Sequence, residues 1–316
     1  MSLDVISLGE LLIDFISTDG GVTFKRAAGG APANVAVACS RLGLKSGFIG
    51  KVGDDGFGRF LRSTLKEGGV DVSRLYLEKG GKTTLAFVSV DTDGERHFEF
   101  CRGTDALLRP EEIDTEYLRS SRVFHFSSIS LISESARKAT LKAVRAARNS
   151  GLTVTYDPNL RLNLWESAKE ARKWIGVGLE MAEVVKLNEE ELEFMFGPGV
   201  EEGAEKVLET ADKVFVTLGK RGCYYADESS RGYSSPYQVK VIDTTGAGDG
   251  FMGGVIYGVL KGWEAERTAS FSNAAGALTV IGIGVIASLP KLDDVFRLVG
   301  AKPAAKRSGN LQKKKF

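Results

Sequence analysis

The chain has little cysteine, and the pattern of what it has excludes a metal centre of the zinc type. Cys39, Cys101 and Cys223 are odd in number and far apart, with no CxxC or His-x₃-His spacing around them. Buried free thiols in a reducing cytoplasm are the expectation. A surplus of charge is also missing. Lysine and arginine number 42 against 41 aspartates and glutamates, so no overall field draws in nucleic acid or a membrane surface, and any anion site must be a local arrangement. The N-terminus, MSLDVISLGELLIDF, meets an acid at once and lacks the basic-then-apolar order of a signal peptide. Only one uncharged run, Thr268 to Leu289 (TASFSNAAGALTVIGIGVIASL), has the length to cross a bilayer. Its first half is small and polar, Gly282 and Gly284 interrupt the rest, and Pro290 ends it. A buried helix followed by a loop is expected there.

What is present is a regular alternation of short apolar runs with helix-like stretches. DVISLGE, SGFIGKVG, VFHFSSIS, LTVTYD, AEVVKLN and KVFVTLG read as strands. Between them lie helical patterns at Ala33 to Leu42, Phe57 to Glu67, Ser133 to Ser150, Ser167 to Met181 and Glu189 to Phe196. This is the βαβ rhythm of a parallel sheet covered on both faces. Two regions break it. Phe15 to Lys25 and Lys82 to Cys101 alternate apolar and polar residues around Asp19-Gly20-Gly21 and Asp93-Gly94, as hairpins with one wet face do. A small antiparallel sheet projecting from a doubly wound domain accounts for both. The last stretch, AKPAAKRSGNLQKKKF, holds six basic residues and no acid, and reads as a disordered tail.

Two nucleotide signatures nearly occur. YLEKGGKTT ends like a Walker A loop, but Tyr76 replaces the first glycine and a strand pattern follows. TVIGIGVIA holds G-x-G-x-x-A at Gly282, Gly284 and Ala287, with Pro290 where a dinucleotide-binding helix should begin. Neither context fits.

VIDTTGAGDGFMGG, from Val241 to Gly254, differs in kind. Glycine inside a helix costs about 1 kcal/mol against alanine, so this segment gives up stability for another purpose. The amides of Gly246, Ala247, Gly248 and Asp249, converging at a helix N-terminus, make a site for phosphate oxygens. The Asp249 carboxylate is repelled by phosphate, and is better used as a base aimed at a hydroxyl in line with it. A glycine-rich helix packed closely on its neighbour explains GAGD alone equally well.

DTTGAGD resembles the C-terminal signature of the PfkB family of carbohydrate kinases, which have the ribokinase-like fold. GGAPANVAVACSRLG with the later GKVGDDGFG resembles its N-terminal signature. The similarity runs from about Val5 to Pro290, and VFHFSSISL, YDPNLRLNLW and GGAPANVA are similar to the fructokinase branch in particular. It implies a doubly wound, mostly parallel α/β sheet covered by helices on both faces, within one domain over 1–300. It further implies a β lid formed by about 13–32 and 82–106, and leaves 301–316 outside as the tail.

The resemblance also implies roles for single residues. Asp249 is the catalytic base, and Gly246, Ala247 and Gly248 are the anion hole. On the sugar side Asp14 accepts hydroxyl hydrogen bonds, Gly29 and Gly30 let the backbone approach the ring, and Asn34 supplies an amide. Read alone, Asp14 is a turn or cap residue. Arg102 and Arg161 match arginines turned toward the substrate or its phosphates in fructokinases and 2-keto-3-deoxygluconate kinases. Taken alone each is a solvated surface arginine. Fructokinases often read closer to FYR…SAD where this chain has Cys101 and a shortened GTDALL, so the lid contact departs from the pattern. On the nucleotide side the matching residues are Thr217, Gly219, Gly222, Asn273 and Gly276. Asn188 and Glu191 match the N-x-x-E element that acts on magnesium through water, and an N-capped acidic helix explains them too. Asp243, Thr245 and Ser288 match a monovalent-cation site, with K⁺ the candidate.

The expected activity is therefore ATP- and Mg²⁺-dependent phosphorylation of a sugar's primary hydroxyl, with fructose favoured. 2-Keto-3-deoxygluconate comes next, then ribose, a nucleoside or a sugar phosphate. A sugar or nucleotide sensor without turnover is the reading from another class, and it gives no use for Asp249 beside an intact turn. The small lid, too few strands to stand alone, is expected to pair with that of a second copy in a homodimer.

Overall fold

The computed structural model describes residues 2–17, 19, 22–90 and 96–300. The basic stretch 301–316, Gly20, Gly21 and the Asp93–Gly94 turn lie outside the described residues.

Strand β1 (Val5–Leu8) opens the chain and leads into the hairpin strands β2 (Leu12–Ser17) and β3 (Phe24–Gly29). Helix α1 (Ala31–Arg41), β4 (Ser46–Gly53), α2 (Gly56–Glu67) and β5 (Asp71–Glu78) follow. A second hairpin, β6 (Leu85–Val90) and β7 (Arg96–Cys101), precedes the short α3 (Thr115–Arg119). Regular alternation then runs through β8 (Val123–Ser127), α4 (Glu134–Asn149), β9 (Thr153–Asp157), α5 (Ala168–Glu180) and β10 (Val184–Asn188). It continues with α6 (Glu189–Phe196), α7 (Val200–Leu208) and β11 (Lys213–Thr217). Strands β12 (Cys223–Asp227) and β13 (Arg231–Ser234) precede four helices: α8 (Ala247–Leu260), α9 (Ala265–Thr279), α10 (Val285–Ser288) and α11 (Leu292–Val299).

The large sheet has nine strands in the order β13-β12-β11-β10-β9-β8-β1-β4-β5. Pairs from β5 to β11 are parallel, whereas β12 runs antiparallel to β11 and to β13. Side-chain alternation along each strand feeds two cores. Ile6, Val185, Val214 and Ala226 pack with the helices carrying Ala139, Ile175 and Val207. Val5, Val184, Phe215 and Cys223 pack on the other face with Val35, Val255 and Phe271. Each such burial of a branched or aromatic side chain contributes about 1.5–3 kcal/mol. The uncharged run from Thr268 forms most of α9, a turn and the brief α10, so its second half is more helical than the expected loop. Among the described residues no helix is long and apolar enough to cross a membrane.

The small sheet is ordered β3-β2-β6-β7. Both hairpins occur where the alternation placed them, but the sheet is mixed instead of antiparallel, because β2 and β6 pair in parallel. The reason is topological. β2 follows β1 and β6 follows β5, so both strands leave the large sheet at the carboxyl ends of parallel strands and travel the same way. The thiols are also a partial correction: Cys39 and Cys223 are buried and free, but Cys101 at the end of β7 is exposed.

Candidate active site

In an open doubly wound sheet, ligands lie beyond the carboxyl ends of the strands where the order reverses. Here the reversal is at β1, flanked by β4 and β8. Glu10 lies just beyond β1, while Ser127, Asp157, Asn188 and Thr217 end β8, β9, β10 and β11. Two cavities open along this edge. One of about 580 Å³ runs from Gly219 and Gly222 past Pro236 and Tyr237 to Asn273 and Gly276. The other, about 310 Å³, holds Asp14, Gly30, Asn34, Arg161 and Asp249 under the small sheet. Thr217, Thr244, Ala247 and Gly248 line both. The N-terminus of α8 therefore stands where the two spaces meet.

The geometry of that N-terminus explains its glycines in two groups. Gly246 caps α8 in the left-handed region, at φ 79°, and a Cβ there would collide with Val285. Gly248 faces the buried Lys186 ammonium, 3.0 Å from where its Cβ would lie. The later glycines serve packing: a Cβ on Gly253 would come within 2.7 Å of Ala38 on α1, and one on Gly254 within 2.7 Å of Ser272 on α9. Both explanations of the glycine-rich stretch hold, each for its own residues.

Asp249 is 8% exposed, and its Oδ2 accepts a hydrogen bond of 2.8 Å from Asn34 Nδ2 on α1. Burial pushes its carboxyl up to about 6, against the lowering effect of the Asn34 bond, and the nearby Asp157 adds to the rise. Asn34 Oδ1 is buried with no hydrogen-bond partner among the described residues. An acid tuned toward neutrality and a bare acceptor thus share one wall of the smaller cavity.

Behind the turn sits a buried ion pair absent from the sequence-based expectation. Lys186 Nζ lies 3.0 Å from Asp157 Oδ2. Burial would lower the ammonium's affinity for its proton, but Asp157 and Glu191 outweigh it and hold Lys186 above its usual value. Burial likewise raises Glu191, opposed by Lys186. A lysine inside the apolar strand VVKLN was the available signal, since a charge in a strand covered on both faces must have a partner. Glu10 and Asp157 were also missed. Glu10 accepts from the Ala31 amide (2.9 Å) and the Ser127 hydroxyl (3.2 Å), and burial pushes its carboxyl up to about 7.

The remaining expected residues divide. Asp14 lies against Gly29, where a Cβ would strike its carboxylate, and a Cβ on Gly30 would strike the Glu10 carbonyl. Arg161 lines the smaller cavity and lowers Asp249 through space. Arg102 is not in that lining and pairs with Asp105 at 2.7 Å. Asn188 and Glu191 form a reciprocal cap on α6. Glu191 Oε1 accepts from the Leu160 amide and Oε2 from the Asn188 amide, both at 2.8 Å, while Asn188 Oδ1 accepts from the Glu191 amide at 2.7 Å. Asn273 donates to the Ser234 and Ser235 carbonyls at 3.1 and 3.2 Å, fixing the wall of the larger cavity. Thr217 Oγ1 donates to Leu187 O at 3.4 Å, and Gly219 and Gly222 take φ of 58° and 90° in the loop after β11. Gly276 brings α9 against the first turn of α8. Asp243 accepts from the Thr245 amide at 2.8 Å, and its backbone amide donates to Val280 O, while a Cβ on Gly282 would collide with Ser288. Those loops are therefore neighbours.

An acid at a helix N-terminus, between a nucleotide-sized cavity and a smaller polar one, is the layout of a phosphotransferase that uses a hydroxyl acceptor. Residues 2–292 match the profile of the pfkB family carbohydrate kinases. Fructokinase-2 of Solanum lycopersicum is 42% identical over 313 aligned positions, spanning 93% of this chain and 95% of that protein. The crystal structure of fructokinase with bound ATP from Xylella fastidiosa superposes with a TM-score of 0.88 at 31% identity, covering 95% of this chain and 99% of that one. That of fructokinase from Vibrio cholerae O395, in fructose-, ADP- and calcium-bound form, gives 0.86 at 32% identity over 94% and 99%. The chain belongs to the pfkB family of carbohydrate kinases and has their ribokinase-like α/β fold.

Proposed function

We propose that the protein is an ATP-dependent fructokinase, converting D-fructose and ATP to fructose 6-phosphate and ADP. The observation that carries the reading is the Asn34–Asp249 pair in the smaller cavity, next to the α8 N-terminus that lines both spaces. Asp249 takes the proton of the sugar's primary hydroxyl. The oxygen bonds to the γ-phosphorus, and the bond to the β-phosphate oxygen breaks as ADP leaves. Amides of Gly246 to Gly248 and the Lys186 ammonium face the developing negative charge. Asp14 and Asn34 Oδ1 take sugar hydroxyls, and Arg161 faces the sugar or the phosphates.

Magnesium, bound with ATP, would neutralise phosphate charge. Among the described residues no group of carboxylates, cysteines and histidines is arranged to hold a metal. Magnesium commonly keeps water ligands while bridging phosphates, so Asn188 and Glu191 would act on it through water with their cap intact. A potassium ion at the Asp243, Thr245 and Ser288 loops is supported by their packing together. A reducing cytoplasm suits the free thiols.

The test is a panel of fructose, 2-keto-3-deoxygluconate, ribose, a nucleoside and a sugar phosphate with MgATP, read by coupled ADP release. Fructose should give the highest kcat/KM, and a clearly better acceptor would replace it. The pH profile gives a second check. Asp249 works as a base only when ionised, so kcat/KM for the sugar should fall about tenfold per unit below an inflection near 6, with Glu10 titrating at about 7 in the same cavity adding only a shallower change above it. A profile flat between 5 and 7 would remove Asp249 as the titrating base.

We also propose a homodimer through the small sheet. Its aromatic residues Phe15, Phe24 and Phe87 are half-buried, and Val22 is 84% exposed. Light scattering at micromolar concentration should give twice the 34.0 kDa of one chain, and a monomer would defeat the proposal.

A further inference from the structure

Arg102 lies outside the lining of the smaller cavity but adjoins residues that form it. Asp14, Ala86 and Phe100 stand in register across the small sheet, and Asp14 and Phe100 line the smaller cavity. Arg102 follows Phe100 by two residues, on the same side of an extended chain. Its position is set by Asp105, whose side chain is 2% exposed and lies 2.7 Å from Arg102 Nη2. Asp105 is itself held by the Thr84 hydroxyl, and the same hydroxyl accepts from the Gly103 amide at 2.6 Å. The base of the β6–β7 hairpin is thus a clasp built around a buried carboxylate. Arg102 and Asp105 both act on Glu10, which lines the cavity and is 2% exposed.

We propose that Asp105, by consuming the charge of Arg102, makes this end of the pocket reject anionic sugars and accept neutral ones. A lone arginine here would present a cation to the carboxylate of a sugar acid such as 2-keto-3-deoxygluconate. Paired with Asp105, and with Glu10 alongside, it offers no net positive charge. A sugar carboxylate would be repelled by the Asp105 charge behind the cavity wall and, above about pH 7, by ionised Glu10 in the lining. Fructose carries a neutral hydroxymethyl group where the acid has its carboxylate, so it meets no such repulsion. Asp105 is on this account a specificity-determining positioning residue that acts through Arg102. The inference rests on the fructokinase reading of the same site.

The test compares kcat/KM for fructose and for 2-keto-3-deoxygluconate in the wild type, Asp105→Asn and Glu10→Gln, together with KM for ATP and thermal stability. Asparagine removes the charge and keeps one acceptor oxygen for Arg102, while its amide NH2 takes the place of the oxygen that faces Thr84 and can donate to that hydroxyl. The wild type should favour fructose by at least about 10²-fold, and Asp105→Asn should narrow that ratio at least about tenfold, chiefly through KM for the acid. Glu10→Gln should move it the same way, which keeps the test decisive if the first variant folds poorly. A merely structural loss would lower both substrates alike. A ratio unchanged in both variants, with fructose still preferred by the wild type, would overturn this inference alone. Wild-type preference for the acid would overturn the inference and the fructose assignment together.

Discussion

Replacing Asp249 with asparagine is expected to lower kcat at least about 10²-fold while leaving ATP affinity within a few-fold of the wild type. The amide keeps the size of the carboxylate and an oxygen for the 2.8 Å bond from Asn34 Nδ2, so the first turn of α8 should be undisturbed. It cannot take the hydroxyl proton. The larger cavity, walled by Pro236, Tyr237 and Asn273, does not include Asp249, which is why nucleotide binding should survive. Calorimetry with ATP and turnover assays on the same preparation separate the two effects. Turnover by the asparagine variant within about threefold of the wild type would exclude Asp249 as the base.

Lys186→Met should cause a comparable loss of about 10²–10³ in kcat, the range found when one donor to a developing oxyanion is removed. This variant should also be less stable. Asp157 and Glu191 would be left buried without their cation, and breaking such a pair costs about 3–5 kcal/mol. The double variant Lys186→Met, Asp157→Asn distinguishes chemistry from folding. Removing one of the stranded carboxylates should recover much of the thermal stability and none of the kcat. Recovery of both would make Lys186 a structural residue only.

These two residues also mark how far the sequence could be read. Asp249 was legible because its role needs only local neighbours: a glycine turn and a helix start are consecutive in the chain, although the run before them is an irregular segment and not the end of a strand. The same holds for Asn188 and Glu191, whose cap closes within one turn. Lys186 was not legible as a site residue, because its partner Asp157 ends a different strand 29 residues earlier. Asn273 was placed near the nucleotide, yet its amide is engaged with the segment at Ser234 and Ser235, a pairing set by how α9 packs on the sheet edge. Arg102 was expected to turn toward the substrate or its phosphates. Its partner Asp105 is only three residues away, but no helical period joins them, and the clasp depends on Thr84 from the other strand of the hairpin.

The large-scale architecture followed from periodicity up to β11, where parallel strands buried on both faces leave continuous apolar runs, except for the half-exposed edge strand β5, whose DVSRLYLE carries charges and was not read as a strand. β12 and β13 escaped because CYYADESSRGYS mixes polar residues with aromatics, as an edge hairpin does. The parallel pairing of β2 with β6 joins segments about 70 residues apart, and no local pattern encodes it.

The central claim is that the protein moves the γ-phosphoryl group of ATP onto the primary hydroxyl of fructose. Phosphorus NMR of the protein with MgATP and fructose tests it without a coupling enzyme. A phosphomonoester signal split by two methylene protons should grow in step with ADP, and be absent with the Asp249→Asn variant over the same time. ADP appearing with inorganic phosphate and no ester, or an ester formed equally well by that variant, would contradict it.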